Sequence, residues 1–96
     1  MEKSLQKQLQ ARAHHLKPVV KIGHKGLTEA VLAEIDTALF VHELIKIDMA
    51  ATQEEQSEWI LQICTELACE KVQHIGNRTV IFRANPEKEK PYIERL

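Results

Sequence analysis

The strongest constraint on the fold is a strand, a helix and a second strand that follow one another in the first half of the chain. The apolar run Val19–Ile22 predicts a short strand, which ends in the Gly-x-x-Gly turn Gly23–Gly26. Apolar residues then recur at helical spacing over residues 27–42, and Leu44–Met49 alternates in polarity as a half-buried strand does. A helix that connects two strands in this way predicts a parallel pair with a right-handed crossover.

Local signals define the ends of three helices. Apolar spacing predicts a first helix over about residues 5–15, with Ser4 as its N-cap and Pro18 as the residue that stops it. Thr28 is the expected N-cap of the second helix. The run Thr52–Glu55 is a capping box, in which the side chains of Thr52 and Glu55 each bind the other residue's backbone N–H. This motif predicts that a third helix begins here. The core stripe of that helix comprises Trp59, Ile60, Ile63, Cys64 and Leu67.

The last third of the chain predicts a hairpin and a tail. Two strand-like runs flank Gly76-Asn77, a favourable turn pair, although Arg78 leaves the length of the loop open. The element order is therefore α-β-α-β-α-β-β, which predicts one α+β domain with helices packed on a small mixed sheet. We expect this domain to span residues 1–85 and residues 86–96 to form a loosely ordered tail.

Composition excludes several classes of protein. Ninety-six residues with 44% hydrophobic and 28% charged content are typical of one globular domain. No apolar run approaches the length of about 20 residues that a membrane span needs, and the polar N-terminus does not resemble a signal peptide, so we expect a cytoplasmic protein. Cys64 and Cys69 are five residues apart, which matches neither a C-x-x-C motif nor a secreted disulfide framework, and we expect free thiols.

The charges are unevenly distributed along the chain. Residues 1–26 carry six basic residues against one acidic residue, a net charge of +5, whereas the remainder has a net charge of −6. A segregated basic block favours a partner that meets one face only, and a nucleic-acid backbone is the commonest anionic candidate. The alternative is a basic helix that is merely solvated.

The Gly-x-x-Gly turn is the first candidate site. Its two glycines would let backbone N–H groups approach a ligand and adopt positive φ angles, and the helix that follows begins with unpaired donors. Lys21, His24 and Lys25 add cationic side chains, so the segment predicts phosphate binding. The alternative is a sharp strand-to-helix turn in which the glycines serve geometry only.

Catalytic signals are weak. The chain has no nucleophile with an evident base, no Walker phosphate loop, no H-E-x-x-H motif and no paired C-x-x-C motif. His14 and His15 are adjacent and would point in different directions on a helix, which is poor geometry for a metal pair. His42 falls on the inner stripe of the second helix, where we expect a buried, hydrogen-bonded imidazole. We therefore expect no enzyme activity, metal or cofactor.

Five segments of the chain form one recognisable pattern. They are AHHLKPVV at 13–20, GHKGLT at 23–28, AL at 38–39, HELIK at 42–46 and the strands from Ile75 to Arg83. Together they resemble the bacterial YhbY family of stand-alone CRM domains, over about residues 5–85 and including the hairpin that closes the domain. The resemblance implies a fold related to the C-terminal domain of the third bacterial translation initiation factor, with a four-stranded mixed sheet. It also implies binding of structured RNA and association with precursors of the large ribosomal subunit.

The resemblance places the RNA contacts in the Gly-x-x-Gly loop and the basic first helix beside it. Phe40 and Val41 stand where the family commonly has polar residues, and Phe82 stands where tyrosine is common. The apolar pair could pack against the tail or form a partner surface. The alternative function is accordingly a protein-interaction adaptor that uses the acidic third helix or the Phe40-Val41 patch. The candidate RNA-binding residues are Lys7, Arg12, His14, Lys17, Lys21, Gly23, His24, Lys25 and Gly26.

Overall fold

The computed structural model describes all residues, Met1–Leu96, as three α-helices, four strands and a short 3-10 turn. The helices are α1 (Lys3–Ala13), α2 (Glu29–His42) and α3 (Gln53–Leu67). The strands are β1 (Val20–Ile22), β2 (Leu44–Met49), β3 (Glu70–Ile75) and β4 (Arg78–Phe82), and the 3-10 turn is η1 (Tyr92–Arg95). This order confirms the predicted α+β arrangement.

The four strands form one mixed sheet in the order β1-β2-β4-β3. β1 and β2 are parallel, as the crossover helix α2 requires, while β4 is antiparallel to both of its neighbours. Asp48 near the end of β2 is therefore the register partner of Lys21 in β1 and of Arg78 at the start of β4. The carboxyl ends of β1 and β2 and the two-residue turn between β3 and β4 consequently lie at one end of the sheet, the loop end.

The sheet is covered on both faces. Residues 45, 47 and 49 of β2 point toward α2 and α3, where they pack in a cluster with Ile35, Leu39, Ile60 and Ile63. Alternation along the strand turns Leu44 to the opposite face, where α1 covers it. α1 contributes Leu9 and Ala13 to this second cluster, and both residues are fully buried. Burial of Leu9 alone contributes about 1.5–3 kcal/mol to the attachment of α1.

The helix starts agree only in part with the sequence-based expectations. α1 begins two residues earlier than expected, with Glu2 rather than Ser4 as its N-cap, and no side chain caps it. The hydroxyl of Thr28 accepts the predicted bond from the Val31 N–H at 3.2 Å. In the capping box, Thr52 Oγ1 accepts the N–H of Glu55 at 3.2 Å, but the carboxylate of Glu55 meets the Thr52 hydroxyl at 3.4 Å instead of its backbone N–H.

The junction between α2 and β2 differs most from expectation. His42 is exposed, so its place on a buried stripe is wrong. The fully buried residue is Glu43, which ends α2 with a φ of 64°. Its carboxylate accepts the backbone N–H groups of Asn85 at 3.0 Å and Tyr92 at 3.1 Å, and it lies 3.4 Å from the ammonium of Lys88. One buried acid thus connects the start of the central strand to the C-terminal segment.

Phe40 and Val41 bind the C-terminal segment through their backbone. Their side chains are 53% and 51% exposed, while their carbonyl oxygens accept bonds from the side chains of Asn85 and Lys88. Phe82 is buried and stacks edge-on against Tyr92, with ring centroids 6.2 Å apart. The domain boundary at residue 85 and the loose order of residues 86–96 stay predictions. No helix in the structure is both long enough and apolar enough to span a membrane.

Candidate nucleic-acid interface

The Gly-x-x-Gly loop is a tight turn at the loop end of the sheet. The N–H of Gly26 donates to the carbonyl of Gly23 at 2.9 Å, which puts His24 and Lys25 at the exposed corners. Only Gly26 has a positive φ, 78°, so the expectation that both glycines use this conformation is wrong for Gly23. A Cβ on Gly26 would meet Trp59 at an ordinary 3.6 Å, and one on Gly23 would meet nothing within 4 Å. Glycine is therefore required only at position 26, and the reason is its positive φ angle rather than a lack of space for a side chain.

The loop leaves backbone donors free. The N–H groups of His24 and Lys25 donate to no protein acceptor, because the turn has its one internal bond at Gly26. Both residues line a cavity of about 310 Å³ whose walls are the loop itself, Thr28 and Val31. Two unpaired donors beside a lysine and a histidine form an arrangement that suits a phosphate oxygen. Glu29, exposed in the first turn of α2, is the opposing charge nearest in sequence.

A larger concave surface lies on the α1 side of the sheet, beyond the part that α1 covers. It is a cavity of about 610 Å³ whose lining includes the cations Lys17, Lys21 and Arg78 and a single acid, Asp48. Lys21, Asp48 and Arg78 form one row across β1, β2 and β4, so their side chains share a face of the sheet. None of the three cations takes part in an ion pair. We call this surface the basic groove.

The basic groove continues into a second cavity of about 380 Å³, which Lys17 also lines and to which Lys46 and Lys88 contribute. Lys46 is the register partner of Val80 and therefore lies on the α1 side of the sheet. Sequence reasoning missed both Lys46 and Arg78. The position of Arg78 could have been predicted from the alternation of side chains along β4. Arg78 lies on the same face of that strand as the apolar residues Val80 and Phe82, which pack against α1.

The predicted site residues separate into three groups. Lys17 and Lys21 meet in the basic groove, and residues 23–26 line the loop cavity. Lys7, Arg12 and His14 line neither cavity. Lys7 and His14 are seven residues apart, which puts them on one exposed stripe of the first helix and its C-cap. Arg12 reaches instead to the carbonyl of Arg95 at 3.5 Å.

The acidic residues of the two other helices lie on the opposite side of the domain. α2 and α3 pack on the face of the sheet opposite to the one that carries Lys21 and Arg78. The acidic side chains of both helices are exposed. The charge segregation along the sequence thus becomes a segregation between two faces, with a basic α1 side and an acidic α2–α3 side. The exposed acids of α2 and α3 are Glu29, Glu34, Asp36, Glu54, Glu55, Glu58 and Glu66.

A buried glutamine fixes the turns at the loop end. Gln56 of α3 is fully buried, and its amide nitrogen donates to Asn77 Oδ1 at 2.8 Å and to the carbonyl of Ala51 at 2.9 Å. Its Oε1 lies 2.8 Å from Nε2 of His74 in β3. This network holds the hairpin turn that precedes Arg78 against the start of α3. The burial of Gln56 could have been predicted from the sequence. It precedes the core residues Ile60 and Ile63 by four and seven positions, which puts it on the same face of the helix.

No three or more His, Cys, Asp or Glu side chains converge in an arrangement that could hold a metal ion. His14 and His15 are paired edge to face, with ring centroids 6.2 Å apart.

Comparison with known proteins places the whole domain in one group. Residues 1–83 match the model of the CRS1/YhbY (CRM) domain family. The chain is 48% identical over 80 residues to a Haemophilus influenzae protein named RNA-binding protein, covering 82% of this chain and 81% of that protein. It is 40% identical over 85 residues to a Pseudomonas aeruginosa protein named as a probable RNA-binding protein, covering 88% and 82%.

The fold has a solved counterpart. The solution structure of SAV1595 from Staphylococcus aureus superposes with a TM-score of 0.81 at 27% identity, covering 95% of this chain and 96% of that one. The four-stranded mixed sheet with its three helices is therefore shared along the full length of both chains.

Proposed function

The chain belongs to the CRS1/YhbY (CRM) domain family, and from this premise we propose that it binds structured RNA through the basic groove and the Gly-x-x-Gly loop. The names of the Haemophilus influenzae and Pseudomonas aeruginosa relatives support the ligand class. The contact surface is argued from this chain's own residues.

The observation that carries the proposal is the basic groove. Lys17 and Lys21 come from one segment of the chain and Arg78 from a distant one, and all three border one cavity with a single acid among its lining residues. Like charges gathered without ion-pair partners repel each other, so an anionic ligand that neutralises them gains free energy. Phosphate groups of a folded RNA match this requirement, because they present regularly spaced negative charges.

The loop supplies a second kind of contact. The free N–H groups of His24 and Lys25 are suited to bind one phosphate by hydrogen bonds while the groove neutralises its neighbours. The chain has only four aromatic residues besides histidine, and none of them lines the basic groove or the loop cavity. Tyr92 lines the second cavity, but its ring packs against Phe82 and Arg95, so stacking of unpaired bases has little support. Recognition of RNA shape and backbone is therefore the mode we propose.

Within this function, the resemblance to the YhbY family favours RNA of the large ribosomal subunit or its precursor as the target. Sedimentation of cell extracts through a gradient tests this part separately. Co-migration with large-subunit precursors that is lost after ribonuclease treatment supports the proposal. Co-migration that survives ribonuclease favours the alternative of a protein adaptor that uses the acidic helix or the exposed Phe40-Val41 patch.

Salt-dependent binding tests the phosphate contacts at the loop. The double variant Lys21→Ala/Lys25→Ala is titrated with large-subunit ribosomal RNA between about 50 and 200 mM salt, and the slope of log K against log salt is measured. We expect the slope to fall by up to about one for each lysine removed. The control Lys71→Ala/Lys90→Ala removes the same charge from residues that line neither the groove nor the loop cavity. Equal slopes for wild type and the first variant would refute phosphate contact at these positions.

A further inference from the structure

The C-terminal end of α3 brings two cysteines together. Ala68 adopts the left-handed conformation with a φ of 52°, and the N–H of Cys69 donates back to the carbonyl of Cys64 at 3.2 Å. This bond, which spans five residues, and the left-handed residue before it define a Schellman motif. In that motif the side chains of the two bonded residues commonly contact each other, and in this chain both of them are cysteines.

The thiols of this pair are close neighbours and occupy different environments. Cys69 is 7% exposed in the core between the sheet and α3, and Cys64 is half-buried at its edge. The Cys69 thiol donates to the carbonyl of Ile63 at 3.8 Å, and its side chain lies close enough to that of Cys64 for each to shift the other's pKa. The backbone bond of 3.2 Å between the Cys69 N–H and the Cys64 carbonyl keeps the two residues adjacent, and a disulfide needs Cα atoms about 4.4–6.8 Å apart. The pair could therefore join with little movement of the backbone.

The surroundings make the two sulfurs chemically unequal. The neighbouring side chain of Cys69 lowers the pKa of Cys64 from 9.0 to about 7, with a smaller contribution from the positive charge of Lys71, while burial and the negative charge of Glu70 oppose the shift. The proximity of Cys64, together with burial, raises the pKa of Cys69. Near neutral pH the pair is therefore one thiolate and one thiol, which is the division of roles between an attacking and a resolving cysteine.

The pair is also accessible to small molecules. Cys64 and Cys69 border a cavity of about 500 Å³ on the edge of the sheet formed by β3, between α3 and the N-terminal end of α1. Gln6 of α1 and Lys71 of β3 line the same cavity. β1 and its loop lie at the opposite edge of the sheet, so this cavity is separate from the basic groove.

We propose that Cys64 and Cys69 form an oxidisable dithiol that reacts with small hydroperoxides. The Cys64 thiolate attacks one peroxide oxygen, the O–O bond breaks, and the leaving oxygen takes a proton to depart as water or an alcohol. The sulfenic acid left on Cys64 is then attacked by the sulfur of Cys69, which gives up its proton. The S–O bond breaks, water leaves and the disulfide forms. Overall, two thiols are oxidised and one peroxide is reduced, so electrons and protons balance.

The test is oxidation of the folded wild-type protein with stoichiometric hydrogen peroxide at neutral pH, followed by intact mass measurement and peptide mapping. We expect the loss of two hydrogen atoms per chain and a Cys64–Cys69 crosslink in the monomer. Retention of both free thiols, or disulfide-linked dimers in place of the internal crosslink, would overturn the proposal. The same treatment in urea shows how much of the reaction depends on the folded motif, and equal rates in both would also count against it.

Two further measurements separate the roles of the sulfurs. Alkylation of the reduced wild-type protein is expected to modify Cys64 first, with a rate that reaches half of its maximum at about pH 7. In Cys69→Ala, peroxide should leave a sulfenic acid on Cys64 that dimedone traps, and Cys69→Ser provides a second variant if alanine impairs folding. Equal labelling of both thiols in the folded protein would contradict the assigned roles. None of these readouts involves RNA, so the proposed RNA binding and this proposal can fail independently.

Discussion

Replacement of Glu43 by alanine is expected to destabilise the domain and release its C-terminal segment. The carboxylate is fully buried and accepts the backbone N–H groups of Asn85 and Tyr92. Asn85 is itself buried, so its N–H would lose its partner without access to water, which costs about 1–3 kcal/mol. Lys88 and Arg95 are 28% and 50% exposed, and each of these solvent-screened ion pairs adds at most about 1 kcal/mol. We therefore expect a loss of about 2–4 kcal/mol in the free energy of unfolding.

Urea unfolding measures this loss, and hydrogen exchange locates it. The exchange of residues 86–96 should accelerate more than that of the sheet, because Glu43 accepts the N–H of Tyr92 and pairs with Lys88, two of the contacts that hold this segment to the domain. Glu43→Gln, which keeps the shape and one acceptor oxygen, should cost less than Glu43→Ala.

The matched control for this experiment is Glu34→Ala, which removes an exposed acid from the same helix that forms no ion pair. It should change the free energy of unfolding by no more than about 0.5 kcal/mol. If Glu43→Ala and Glu34→Ala have the same stability, the reasoning about the buried carboxylate is refuted.

Four other substitutions have distinct expected outcomes. Gly26→Ala should cost about 1–2 kcal/mol in thermal or urea unfolding because of its positive φ, whereas Gly23→Ala, in open space, should be close to neutral; equal costs would contradict this. Gln56→Leu should lower the free energy of unfolding by about 2–4 kcal/mol, since it removes the partner of Asn77 and His74, and retention of wild-type stability would show that the network is dispensable. Glu29→Gln should raise RNA affinity at low salt by removing a negative charge beside the loop, and unchanged affinity would place the bound phosphates elsewhere.

Local sequence signals were sufficient for most of the elements. β2 begins and ends where its alternation predicts, and the Thr28 cap and the Gly76-Asn77 turn follow from side-chain chemistry within a few residues. Ser4 failed as a cap because the helix can begin without a side-chain partner when its first turn is exposed to water.

The features that the sequence did not reveal depend on distant contacts. Arg78 joins Lys17 and Lys21 only because β4 lies beside β2, and strand order does not follow from any local sequence pattern. Lys46 joins them because β2 pairs with β1, where its carbonyl accepts the N–H of Val19. Glutamate is a residue type that usually lies on the surface. The burial of Glu43 depends on hydrogen-bond partners about forty or more positions later in the chain.

The two cysteines illustrate the same limit at shorter range. A spacing of five residues matches no familiar motif, yet the Schellman motif makes the two residues neighbours because Ala68 turns the chain with a positive φ. Alanine carries no sequence signal for that conformation, in contrast to the glycine usually found there.

The most direct test of the basic groove compares two triple variants that carry the same net charge. Lys17→Ala/Lys21→Ala/Arg78→Ala removes the cations of the groove, whereas Lys3→Ala/Lys71→Ala/Lys90→Ala removes three exposed lysines that do not line it. With large-subunit ribosomal RNA, the account predicts that the first variant lowers the salt slope by about 2–3 and that the second lowers it by less than about 1. An equal decrease in both would contradict the account, because it would mean that net charge rather than the groove determines binding.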